Sequence, residues 1–155
     1  MLFRSDHRRA LALRPDLPEA LAAAGAVRLA AGRPREALSL LDRAPGHPVA
    51  AFHRGNALFQ LGRIDDAAKS FLVAAERIPE ALGNLAGVRR EQGNTDDARL
   101  LYDRLIASDG GSDALRVKRA MLLPIIPESV AAIDAARAHL AADLAACADV
   151  RLDDP

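Results

Sequence analysis

The residues able to do chemistry in this sequence are few and scattered. The four histidines, His7, His47, His53 and His139, are far apart, and no two stand at the spacing that brings a pair of imidazoles to one metal ion on a helix. Two acidic doublets, Asp65-Asp66 and Asp96-Asp97, suggest a cation site. Each also opens a stretch of helical pattern, where carboxylates complement the positive end of the helix. Cys147 is the only cysteine. A single thiol makes neither an internal disulfide nor a metal cluster, and in an alanine-rich helical stretch it reads as a small packing residue. There is no Ser–His–Asp-like set and no phosphate-cradling glycine motif. The expectation is a chain without catalytic, cofactor or metal residues.

The bulk composition agrees with a helical scaffold. Of 155 residues, 50% are hydrophobic but only 3% aromatic, and there is no Trp. Alanine makes up roughly a fifth of the chain, well above average usage, and alanine has the best intrinsic helix propensity. Basic and acidic residues balance at 21 each, so nothing favours a phosphate backbone as partner. The first residues, MLFRSDHRR, lack the apolar stretch of a signal peptide. The apolar run from Ala20 to Ala31 is broken by Arg28 and is too short for a bilayer. The expected chain is soluble and cytoplasmic, with no nucleic-acid or membrane partner.

Three segments repeat one pattern: LAAAGAVRLAAGRPREALSLLDRA from Leu21, AFHRGNALFQLGRIDDAAKSFLVA from Ala51, and LGNLAGVRREQGNTDDARLLYDRL from Leu82. Each has an early small residue (Gly25, Gly55, Ala86), then a glycine (Gly32, Gly62, Gly93), then an acidic residue followed by alanine (Ala37, Ala67, Ala98). A large residue comes four positions later (Leu41, Phe71, Tyr102). Two antiparallel helices pack closely only where contact residues are small. The early small residues and the later alanines supply that gap, and the large residues read as knobs filling space between hairpins. Gly32, Gly62 and Gly93 end the first helices, Pro34 suits a first helical turn, and Asn94-Thr95-Asp96-Asp97 offers N-cap side chains. The pattern resembles the tetratricopeptide repeat, whose usual period is about 34 residues. Here the glycines recur after about 30 and 31 residues, so the loops are trimmed.

The expected fold is all-α: a right-handed α-solenoid of antiparallel helix hairpins with a long C-terminal helix. Helices are expected near 2–14, 18–31, 35–44, 48–61, 64–77, 80–92, 95–107, 113–123 and 128–147. Residues 1–111 read as a repeat array, a half repeat plus three hairpins, and residues 112–155 as a helical connector or capping segment. Pro124 and Pro127 divide the connector. Ile133, Ala136, Leu140 and Leu144 form a stripe on its long helix. That stripe either folds back on the last hairpin or stays exposed and drives self-association. The half-repeat start and abrupt end suggest a fragment or truncated product.

In such solenoids the first helices line a concave groove. Helical phase turns Ala22, Ala26 and Leu29 toward it from the first hairpin, Phe52, His53, Asn56 and Phe59 from the second, and Asn84, Gly87 and Arg90 from the third. Phe52 and Phe59 either anchor a bound peptide, with Asn56 and Asn84 bonding its backbone, or pack against the neighbouring hairpin. His53 contacts a ligand or is a solvated polar residue. An RNA-binding array would show Lys and Arg across this face, where only Arg90 is evident.

The segment Ala114 to Cys147, ALRVKRAMLLPIIPESVAAIDAARAHLAADLAAC, resembles the connector of bacterial SPINDLY-type O-linked N-acetylglucosamine transferases. Leu122-Leu123-Pro124, Pro127-Glu128-Ser129 and Ile133-Asp134 stand in the matching places. Asn84-Leu85-Ala86 resembles the step whose asparagines line the groove in that family, while Ala23 and His53 occupy the equivalent positions here. The resemblance covers the non-catalytic half of the family. It implies a substrate-docking repeat region without a nucleotide-sugar site; a free-standing repeat adaptor is the alternative.

Overall fold

A computed structural model describes residues 17–108, 112–124, 127 and 129–150. The helix expected near 2–14 and His7 within it lie outside the described residues. Among the described residues there are eight helices and no strand: α1 (Pro18–Ala30), α2 (Pro34–Leu41), α3 (Pro48–Gln60), α4 (Ile64–Ala75), α5 (Glu80–Glu91), α6 (Thr95–Ser108), α7 (Asp113–Ala120) and α8 (Val130–Ala145). The fold is the all-α hairpin repeat expected.

Local chemistry sets the helix ends. Gly62 closes α3 with φ of +74°, a left-handed conformation that glycine adopts without Cβ strain. Its N–H donates to the Phe59 carbonyl at 3.0 Å, and the next N–H, of Arg63, donates to the Leu58 carbonyl at 2.9 Å. This pair of bonds satisfies carbonyls that the ending helix leaves unpaired. Gly32 and Gly93 repeat the arrangement on α1 and α5. Pro18, Pro34 and Pro48 open their helices, where a missing N–H costs nothing. His47 caps α3, its Nδ1 accepting from the Ala50 N–H at 3.4 Å, and Ser129 caps α8 by accepting from Ala132 N–H at 3.1 Å. α2 stops at Leu41 rather than near 44, because the Arg43 and Ala44 N–H groups donate three residues back, to the Leu40 and Leu41 carbonyls, a tightened last turn that Pro45, without an N–H, cannot extend.

The chain forms two compact units, one up to Ala81 and one from Leu82. In the first, the α1/α2 hairpin stacks on the α3/α4 hairpin. Leu21 and Ala22 of α1, Ala37 and Leu41 of α2 and Ala50 and Ala57 of α3 share one core. Leu41 fills space between hairpins as expected, sharing the core with Ala50 and Ala57 of the next one, and the knobs also sit on the small residue of their own hairpin. A Cβ placed on Gly25 would lie 2.5 Å from Leu41 Cδ2, and one on Gly55 would lie 2.5 Å from Phe71 Cε1. Leu41 and Phe71 are almost wholly buried. Arg54 of α3 adds a polar tie. Its Nε donates to Asp42 Oδ1 at 2.6 Å and its Nη1 to Ser70 Oγ at 2.6 Å, while the buried Ser70 hydroxyl donates to the Asp66 carbonyl.

In the second unit, Ala86 of α5, Ala98 of α6 and Leu122 beyond α7 form a core with Leu101 and Tyr102 packed against it. Ala86 takes the place of the glycine, and its facing knob Tyr102 is correspondingly only half-buried. α7 and α8 are separate helices, as Pro124 and Pro127 require. Of the α8 stripe, Ile133, Ala136 and Leu140 are half-buried and Leu144 is exposed, so the stripe is only partly covered.

Three substitutions test this packing and capping by urea unfolding. Ala67 has no exposed surface, and Ala67→Leu should cost roughly 1–3 kcal/mol by overpacking. Gly62→Ala should cost about 1–2 kcal/mol for its left-handed backbone, whereas Gly46→Ala, with open space around it, should be nearly silent. Equal effects at Gly62 and Gly46 would contradict the capping argument.

Candidate functional site

The expected groove residues divide between the two units. Phe52, His53, Asn56 and Phe59 all belong to α3 of the first unit, at one-, three- and three-residue steps that keep them on one side of the helix. Phe52 is half-buried. Its ring meets the His53 ring edge-on at 5.5 Å and the buried Phe71 ring at 6.2 Å, distances typical of favourable aromatic pairs. Phe52 therefore packs largely inside its own hairpin. Phe59, one helical stretch on, is 41% exposed and presents apolar surface to solvent. Phe52 packs against its own hairpin rather than a neighbouring one, and of the two phenylalanines Phe59 has the exposure an anchor needs.

His53 is half-buried between these features. Burial disfavours its charged form and holds its pKa below the ordinary 6.5. Near neutral pH the ring is uncharged, with one nitrogen donating and the other accepting. Asn56 is half-buried and already has an interaction partner. Ala22, expected on the inner face, is instead 2% exposed and part of the core. Ala26 and Leu29 are half-buried, with Leu29 packed against that core.

Asn84 and Arg90 lie on α5 and belong to the second unit. Asn84 is half-buried and likewise already engaged. Arg90 is exposed, and its Nη2 donates to Glu91 Oε1 at 3.2 Å. Burial raises the Tyr102 pKa, and the charge of Arg90 opposes that rise without cancelling it. Arg90 thus sits close enough to influence the knob of its own hairpin.

Two polar groups escaped the sequence reading. Arg54 and Ser70 occupy the repeat positions held by Ala24 and Leu40 in the first hairpin and by Leu85 and Leu101 in the third. A polar pair replacing apolar ones at matched positions was the available signal. Asp143 is the second: it accepts from both Arg99 and Arg119. Arg99 is therefore a half-buried tie on α6, its side chain 15% exposed.

Among the described residues, no group of three or more His, Cys, Asp or Glu side chains converges as a metal site. Asp65-Asp66 and Asp96-Asp97 occupy the first turns of α4 and α6. Arg63, through its hydrogen bond, depresses the Asp66 pKa. No described helix is long and apolar enough to cross a membrane.

Comparison with known proteins reaches the family and the fold. A family model described as tetratricopeptide repeat matches residues 22–81 and 52–114. A search of curated sequences finds no match. The chain is similar in structure to MamA protein, with a TM-score of 0.71 and 19% identity over 98% of this chain and 87% of that one. It is also similar to pilF of Pseudomonas aeruginosa (TM-score 0.75, 17% identity, 97% of this chain and 68% of that one). A third is PilW, a type IV pilus biogenesis factor (TM-score 0.65, 20% identity, 92% and 69%). At these identities the likeness concerns the fold. Small residues, left-handed glycines and knobs in phase, together with the family model, lead to one conclusion: the chain belongs to the tetratricopeptide repeat family.

Proposed function

We propose that this chain is a non-catalytic protein-protein interaction scaffold whose first helices take up extended peptide segments. Tetratricopeptide repeats generally mediate protein–protein contacts. The observation that carries the reading is the exposed Phe59 on the same helix side as Phe52, His53 and Asn56. An exposed aromatic beside half-buried polar groups suits an apolar peptide side chain flanked by backbone amides. Within the second unit, Asn84 and Arg90 of α5 are the corresponding candidates.

The finer reading is the substrate-docking region of a SPINDLY-like O-linked N-acetylglucosamine transferase. It rests on Leu122-Leu123-Pro124, Pro127-Glu128-Ser129 and Ile133-Asp134, while the comparisons reach the repeat family. A free-standing repeat adaptor is the alternative, and a cytoplasmic location fits both. The partly exposed stripe of α8 supports concentration-dependent self-association as a secondary property.

The test takes a partner retained from the parent lysate, maps it to a peptide, and measures that peptide's affinity for the chain. Phe59→Ala should weaken binding about tenfold, or about 1–2 kcal/mol, as at other interface anchors. Lys69→Ala, in an exposed position on α4, should leave it unchanged. The reverse pattern would contradict the docking face, and turnover of a sugar nucleotide by the chain would contradict the non-catalytic reading.

His53 supplies a pH check. Its folded pKa lies below its unfolded value, so the unfolded chain binds the proton more readily. The contribution of the neutral ring is fully present above about 6.5 and is lost as pH falls through that value toward the folded pKa. Urea unfolding should show stability falling on acidification across this window, with a shallower fall in His53→Gln. Identical slopes would mean that His53 is not desolvated.

A further inference from the structure

The geometry points to α8 being a strap, held over α6 and α7 by an arginine–aspartate latch and released by salt while the rest of the second unit stays folded. The apolar grip of this helix is thin. No residue of α8 is buried, Val130 is 75% exposed and Leu144 47%. By contrast α4, of the first unit, buries Ala67, Ala68, Ser70, Phe71 and Ala74.

The specific contacts are polar and lie toward the C-terminal end of the helix. Asp143 accepts from Arg99 Nη1 of α6 at 2.7 Å and from Arg119 Nη1 of α7 at 2.6 Å. Arg119 also reaches Asp103 of α6 at 2.6 Å, so charges alternate along Arg99, Asp143, Arg119 and Asp103. Beyond the last turn, Arg116 Nη2 donates to the Ala146 carbonyl at 2.6 Å and to Asp149 Oδ1 at 2.8 Å. At the other end, Pro124 and Pro127 prevent α7 and α8 from forming one helix, so helical continuity does not hold α8 in place.

A helix held this way is set apart energetically from helices held by a core. Local opening follows the few contacts that must break, and ion pairs within reach of solvent weaken as ionic strength rises. Asp143 and Arg99 keep 18% and 15% of their side-chain surface, enough for screening to act once the helix begins to lift. Opening would uncover the Nη1 groups of Arg99 and Arg119 on adjoining helices, while Leu122 and Asp103 keep the other edges of the two guanidinium groups occupied.

Hydrogen exchange on the full chain tests the strap. At low salt, amides of residues 130–145 should exchange faster than those of α6, and 1 M NaCl should accelerate them several-fold while α6 is unaffected. Asp143→Asn should give about a tenfold acceleration in α8 at low salt and reduce the salt response to the last turn, where Arg116 and Asp149 still pair. Arg116→Gln, which removes only the contacts at Ala146, Asp149 and Asp113, should loosen the last turn alone. Equal protection of α8 and α6 with no salt response would overturn the proposal. So would simultaneous loosening of α5, α6, α7 and α8 in either variant, because that would make the latch part of one cooperative unit.

Discussion

In the first two hairpins the paired helices come so close that one residue on the first helix must lack a side chain. Leu41 occupies the space a Cβ on Gly25 would need, and Phe71 does the same over Gly55. The close fit exchanges intrinsic helix propensity, which disfavours glycine, for dense packing around a large buried residue. The third hairpin relaxes the constraint. Ala86 brings its own methyl group, and Tyr102 is only half-buried. With the helix pair fixed at that point, the left-handed glycines at 32, 62 and 93 turn the chain back where the second helix must begin.

This constraint was legible in the sequence because it repeats. Small residue, cap glycine, alanine and knob recur in phase three times, and each has one physical role. Helix ends agree closely where a cap or proline sets them, as at Pro34 and Pro48. What was not legible depends on pairing across distance. Asp143 lies 44 positions from Arg99 in sequence, and no periodicity announces that they meet. Helical phase also misplaced Ala22, because phase defines a side of the helix without saying what covers it, and the next hairpin covers this one. Phe52 and Phe59 share a phase yet differ in fate, since only Phe52 has Phe71 beside it.

The functional reading follows from what the packing leaves over. The knobs and small residues are consumed in holding hairpins together, and the residues left as candidates are those on the other side of the first helices. On α3 these are an exposed aromatic, an uncharged half-buried imidazole and an amide. The proposed role of these groups is to meet a peptide by shape and hydrogen bonding. The C-terminal helix is governed by different physics. Its charges do what a core does elsewhere, which makes its attachment sensitive to solvent conditions in a way the hairpins are not.

The central claim, that each early hairpin is built on one large side chain seated over one glycine, is tested most directly by a double-mutant cycle at Gly55 and Phe71. Gly55→Ala should destabilise the otherwise unchanged chain, because the added methyl collides with the Phe71 ring. In a Phe71→Ala background the collision is gone, and the same change should stabilise by up to about 1 kcal/mol, the propensity difference between the two residues. A reversal of sign between the backgrounds, measured by urea unfolding, is the predicted result. The same effect of Gly55→Ala in both backgrounds would contradict it.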